Sequence, residues 1–209
     1  MNKAILISIQ PNWCELIASG KKRVEVRKTR PKLETPFKVY IYCTNGKPIL
    51  GRCILDNSLK ETPETDFDNY NRDTLFRANG KVIGEFVCDG FYKFVNYGLG
   101  IAIYDAQERI VEPQDMLDWS CMIEDQLVEY IGNKEGYGWH ISNLVIYDKP
   151  KELSEFYTEC QMNCEHCEMW GHTRVNADEF DMDCKSDWFN HKPLTRPPQS
   201  WMYVEEFSV

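Results

Sequence analysis

The chain has no apolar run approaching the ~20 residues that a membrane-spanning helix needs. No attachment to a membrane is therefore expected. Its first ten residues, MNKAILISIQ, carry one lysine and a very short apolar run, with no small-residue cleavage site behind it. They are expected to form a first strand and not a secretion signal, which places the protein in the cytoplasm. Histidine is scarce, with four in 209 residues, and His140 alone lies outside the segment 157–192. No Ser/His/Asp order suggests hydrolytic chemistry built on that triad. Internal repeats and low-complexity tracts are absent, which excludes a repeat array. Positive charge is in deficit, with 24 Lys and Arg against 33 Asp and Glu and a net charge of -9. Duplex-DNA binding runs on Lys and Arg neutralising phosphates, so no long duplex DNA is expected as a partner.

What is present is enough for a real core. Hydrophobic residues make up 43% of the chain and aromatics 13%, which fits one domain with a small appendage. The charge deficit is uneven. Residues 1–60 carry a balance of +8 and residues 61–209 a balance of -17. Lys21, Lys22, Arg23, Arg27, Lys28, Arg30 and Lys32 form the densest basic run. A basic patch on an acidic body suits a small anionic or nucleotide-like target, although a solvated basic loop has the same composition. The nine cysteines are uneven as well. Cys14, Cys43, Cys53, Cys88 and Cys121 are scattered among apolar neighbours and read as buried thiols. Cys160, Cys164, Cys167 and Cys184 are clustered.

Strands are expected at 4–9, 22–28, 37–43, 49–55, 81–89, within 91–103, at 139–147 and at 199–205. A helix is expected at 11–18, started by Pro11 and stopped by Gly20, with Trp13, Leu16 and Ile17 on one face. A helical period returns between Pro113 and Tyr130, with Ser120 as a cap for the Ile123, Leu127, Ile131 repeat. Residues 57–80 read as an insertion loop, and 132–138 (GNKEGYG) as a glycine-punctuated turn. Strands and helices do not alternate regularly, so the expected fold is α+β, a small mixed barrel and not a doubly wound sheet.

The stretch from Ser8 to Arg27 is the most informative. After Gly20, Val24 and Val26 alternate with Arg23, Glu25 and Arg27, the period of a half-buried strand. A carboxylate between two arginines is a candidate site, and the same pattern suits an edge strand whose charges block aggregation. Gly20, Lys22, Glu25 and Arg27 match the GxKxxExR signature, and on these residues the chain resembles ASCH domains, which are PUA-like. The helix carrying Pro11, Trp13 and Leu16, the strand Val82 to Cys88 and the strand ending in Ile146 extend the likeness. Segments WHIS (139–142) and PPQSW (197–201) make it similar to phage or prophage-borne members. The resemblance implies a PUA-like mixed β-barrel flanked by short helices, formed by 1–156 with 193–209, and a cleft for RNA or a modified nucleotide. Some small ASCH proteins are amidohydrolases of N4-acetylcytidine. Their lysine falls at Lys22 and their threonine at Glu25, and Glu85 is the best match for their glutamate. A phage-encoded protein-interaction module is a third expectation.

Single-stranded bases are held by stacking and by hydrogen bonds to their edges. Trp13, Tyr137, Trp139 and Trp201 are candidate walls, although each equally suits a core. Lys22 and Arg27 suit a phosphate or carbonyl, and Glu25 suits an exocyclic amine or the orientation of Arg27. His140 is a further candidate. In 157–192 the C-x3-C-x2-C run of Cys160, Cys164 and Cys167, with Cys184 after it, predicts a structural zinc site. His166, His172 and His191 are alternative ligands, and free thiols remain the other reading. Metal crosslinking would supply what so polar a segment cannot bury.

Overall fold

The computed structural model describes residues 3–45, 79–98, 100–158 and 193–206. The expected strand 49–55, the cysteine Cys53, most of the loop 57–80 and all of the zinc candidates lie outside these residues. Chain order is β1 (Lys3–Ile9), α1 (Pro11–Ala18), β2 (Val24–Arg27), β3 (Phe37–Cys43), β4 (Lys81–Asn96), β5 (Ile101–Tyr104), α2 (Pro113–Ser120), α3 (Glu124–Ile131), β6 (Glu135–Lys151) and β7 (Trp201–Glu205). One mixed sheet runs β2-β6-β4-β3-β1-β7, with β5 added beside β4. The β1–β3 pair is parallel and the other ladders are antiparallel. Few helices and a mixed sheet are what the α+β expectation required.

Two long strands give the sheet its curl. The sequence divides 81–103 into two strands near Gly90, whereas β4 continues for 16 residues and β6 for 17. Their ladder slips at Val82/Gly84, Glu85/Val87 and Cys88/Phe91. Each slip is a bulge that bends a strand and raises its twist. The curl brings Trp139 of β6 within 5.9 Å of Trp201 of β7, ring centre to ring centre, across strands that are not neighbours in the sheet. Alternate residues of β1, β3, β4 and β6, among them Ile5, Ile7, Val39, Ile41, Phe86 and Trp139, fill the concave side. Leu6, Tyr40, Val82, Phe156 and Val204 form a second cluster on the other face. The four described scattered cysteines, Cys14, Cys43, Cys88 and Cys121, are buried and in no disulfide.

A third cluster lies under α2 and α3, where Met116, Leu127 and Ile131 cover Val24, Val26 and Phe94. The helical period is therefore real, but it is broken into two helices at Cys121, whose φ of 55° is left-handed. Ser120 is the last residue of α2 and not a cap, since its hydroxyl donates back to the Leu117 carbonyl at 3.1 Å. The expected turn 132–138 is also shorter than its glycines imply, because β6 begins at Glu135. Gly138 is a packing glycine. A Cβ there would sit 2.7 Å from Val24 Cγ1 and 2.9 Å from Phe94 Cζ. Its absence lets β2 lie on β6 with Phe94 beneath, so turn composition and close approach look alike in sequence.

Candidate functional site

Strand β2 is an edge strand, as its charges imply, but it is not solvated. Val24, Glu25, Val26 and Arg27 are all buried. Val24 and Val26 face the helices. Period two turns Glu25 and Arg27 the other way, toward the end of β1. There Arg27 donates Nη2–H to the Ser8 carbonyl at 2.6 Å and to Glu25 Oε1 at 2.9 Å. Its Nη1 reaches Ser200 Oγ at 3.4 Å, just before β7. Ser8 also holds that segment, donating Oγ–H to the Pro198 carbonyl at 2.6 Å and N–H to the Ser200 carbonyl at 2.9 Å. Arg27 thus bridges the two outermost parts of the sheet.

Lys22 enters from the loop before β2. Gly20, at φ 73°, turns the chain so that the Lys22 N–H returns to the Leu16 carbonyl at 2.9 Å. Glycine adopts that conformation without the strain of a side chain. The ammonium then donates to the Ser120 carbonyl at 2.7 Å, lies 3.4 Å from Glu25 Oε2 and stands 4.7 Å from the centre of the Trp13 ring. Burial holds it below the ordinary lysine range, although Glu25 pulls it part of the way back. Two buried cations share one carboxylate, which leaves a local surplus of one positive charge.

These groups open onto a cavity of about 500 Å³. Trp13 and Met122 give it apolar walls, while Gln10, Thr44, Tyr130 and Gln199 supply polar groups. Burial raises the Tyr130 phenol, so it faces the cavity as a neutral hydroxyl. The three directions of the Lys22 ammonium are taken up within the protein. Arg27 is different, because its Nε–H is buried and has no hydrogen-bond partner.

The structure brings Trp13, Lys22, Glu25 and Arg27 together. Gly20 lies outside the cavity and acts through the backbone turn. Trp139 is fully buried in the concave core, edge-on to Phe37 and Phe91, and Trp201 packs beside it with its Nε1–H donated to Thr29 Oγ1 at 3.0 Å. Tyr137 packs against the same core. Glu85 is elsewhere, accepting from Tyr147 Oη and pairing with Lys38 at 3.1 Å. His140 Nδ1 meets Asp89 Oδ1 at 2.6 Å, also away from the cavity. Burial pushes the Asp89 carboxyl up, but the hydrogen bond and charge of His140 outweigh it and leave the group lowered. Among the described residues no cluster of three or more His, Cys, Asp or Glu is arranged to hold a metal. The zinc candidates Cys160, Cys164, Cys167 and Cys184 lie outside those residues. Gln10, Thr44, Met122, Tyr130 and Gln199 were not legible as site residues. They come from loop and helix positions far apart in sequence, and no local spacing marks them.

A curled mixed sheet with short helices and a charged cavity at its β2 end defines an α+β domain of the PUA-like class, which is of an RNA-binding or hydrolase type. The ASCH domain model matches residues 7–173, and the chain belongs to the ASCH family. No curated protein matches the chain. Among solved structures, the ASCH protein of Zymomonas mobilis is similar at 15% identity and a TM-score of 0.49, over 97% of this chain and 88% of that one. Two mutant forms of that protein give 15% identity, 97% and 89% coverage and a TM-score of 0.49, and 14%, 98% and 92% with 0.46. No helix among the described residues is long and apolar enough to cross a membrane.

Proposed function

We propose that the protein binds RNA and seats one base, or a modified base, in the Lys22–Glu25–Arg27 cavity. The observation that carries this reading is the surplus cation. A buried triad of two cations and one carboxylate lines a cavity of about 500 Å³. That size falls in the range of small-molecule sites. A base carbonyl or a phosphate oxygen suits that positive surplus, and amides and hydroxyls around the rim suit base edges. Titration of the intrinsic tryptophan fluorescence with single-stranded RNA tests it. Affinity is expected to fall with salt and to drop at least tenfold in Arg27→Ala. Gln199→Ala and Tyr130→Phe, which leave the triad intact, are expected to weaken binding severalfold. Binding indifferent to salt and to all three changes would sink the reading.

A second reading, an amidohydrolase acting on N4-acetylcytidine-like nucleosides, is favoured by one observation. Lys22 is buried and its proton is held less tightly than usual, as an activated lysine requires. Against it stand Glu25, where that group has threonine, and the distance of Glu85 from the cavity lining. Cleavage of N4-acetylcytidine by the wild type and not by Lys22→Ala would establish hydrolysis over binding alone. The zinc site of Cys160, Cys164, Cys167 and Cys184 is a proposal from spacing. It predicts metal by elemental analysis, reduced in Cys164→Ser.

A further inference from the structure

The cavity uses Lys22 and Arg27 but not the cations that follow them. The segment after β2 crosses the molecule between two anchors. Thr29 Oγ1 accepts from Trp201 Nε1, and the Lys32 N–H donates to Tyr203 Oη at 2.9 Å. Between and beside these anchors the basic side chains are laid on aromatic rings. Lys28 stands 5.1 Å from the centre of Tyr130, and Arg30 stands 5.3 Å from Phe91 and 5.6 Å from Tyr137. Tyr130 is itself a wall of the first cavity, so this line of cations starts where that cavity ends. At its far end lies a second cavity of about 560 Å³, with Arg30, Lys32, Phe91 and Thr35 in its lining and Glu34 as its one acid.

Two features point to an anionic polymer. Lys28, Arg30 and Lys32 form no ion pair among the described residues, although the chain carries 33 carboxylates against 24 Lys and Arg. And Arg30 is held over two rings before any ligand arrives, which orients its planar fork and lowers the entropy lost on binding. From Arg27 to Lys32 the chain spans at most roughly 18 Å, more than one nucleotide fills.

We propose that the second cavity holds the phosphodiester and base of a neighbouring nucleotide in a single-stranded RNA whose first base occupies the Lys22–Arg27 cavity. Arg30 and Lys32 meet the phosphate, and the Phe91 side of the cavity receives the base. The proposal rests on the RNA-binding reading above and adds the length, polarity and path of the strand.

The test uses the full chain, a mixed-sequence 12-nucleotide single-stranded RNA and cytidine 5′-monophosphate. In Arg30→Ala/Lys32→Ala, affinity for the 12-mer is expected to fall tenfold or more. The slope of log affinity against log salt is expected to flatten by ~0.7, for the one phosphate that the two residues hold. Affinity for the mononucleotide is expected to stay unchanged. Both residues are exposed, and an unchanged urea midpoint checks the fold. The charge-preserving Arg30→Lys/Lys32→Arg is expected to restore the slope. An unchanged 12-mer affinity and slope overturns the second subsite while leaving the first cavity standing. Equal weakening of both probes overturns it also, because the residues then act on the first cavity. Competition by a 12-residue polyglutamate as strong as that by RNA overturns the ligand class. A wild type that binds neither probe overturns the underlying RNA reading and this one with it.

Discussion

Glu25 is the group on which the buried triad depends. It faces Arg27 at 2.9 Å and Lys22 at 3.4 Å, and the other lining residues bring no carboxylate. Glu25→Gln preserves shape and removes the countercharge of two buried cations. The expected cost is about 3–5 kcal/mol, the scale for breaking a buried ion pair, read from the urea midpoint. Lys22 gives a pH signature with a definite sign. Its folded value lies below its unfolded one because burial disfavours the ammonium. At neutral pH both states carry the proton, and the folded state bears the burial cost. As pH rises through the lowered folded value, the unfolded chain holds more protons, and stability rises until the ordinary lysine value of ~10.4 is reached. Wild type is therefore expected to gain on Lys22→Met across that alkaline window, in paired urea melts, while its affinity for RNA falls there. A wild type that loses ground on the variant over the same window would show the shift to run the other way. At this scale the sequence was informative where residues sit close together. Lys22, Glu25 and Arg27 share one loop and one strand, and a spacing signature is enough to find them. Trp139 and Trp13 are indistinguishable as candidates in sequence, yet one is core and the other a cavity wall. The difference lies in the partners that the curl of the sheet brings to each.

Among the elements, β2 decides where the site is, and Gly138 decides where β2 is. Four residues pair with β6 through Val24–His140 to Arg27–Tyr137. The glycine opposite Val26 leaves room for Val24 and Phe94. Gly138→Ala places a methyl into that contact and is expected to cost about 1–3 kcal/mol, as overpacking of a filled core does. Because the displaced strand carries Glu25 and Arg27, RNA affinity is expected to fall with it. Gly20→Ala is the contrast. Its Cβ meets nothing within 4 Å, so only the left-handed backbone resists, at about 1–2 kcal/mol. Urea melts of both, with RNA titrations, separate strain from displacement. Strands β1 and β3 and the helix α1 were legible because period two and a proline start are local signals. The join of 81–89 to its successor in one strand was not, since Gly90 reads as a break and only the ladder to β6 carries the strand through. The split of 113–130 into α2 and α3 was hidden for a related reason, as nothing in composition announces the left-handed Cys121.

For the whole molecule, charge sets what kind of nucleic acid it tolerates. The net charge is -9, and among the described residues Lys28, Arg30 and Lys32, which form no ion pair, follow β2 directly. A duplex presents two phosphate rows to a broad face, and an acidic body repels whatever is not over the basic track. A single strand can follow the track alone and turn its bases inward to the cavity walls. Two phosphate positions, one at Arg27 and one shared by Arg30 and Lys32, predict a salt slope of about -1.4 for single-stranded RNA, far shallower than a duplex binder with 6–10 contacts shows. A 12-nucleotide single strand is therefore expected to bind at least tenfold more tightly than the same sequence annealed to its complement, at equal salt. Fluorescence anisotropy at several salt concentrations measures both quantities at once. Equal affinity for the two forms would mean that the protein reads only phosphate charge. The cavity beside β2 would then have no part in binding, because a base paired within a helix cannot enter it.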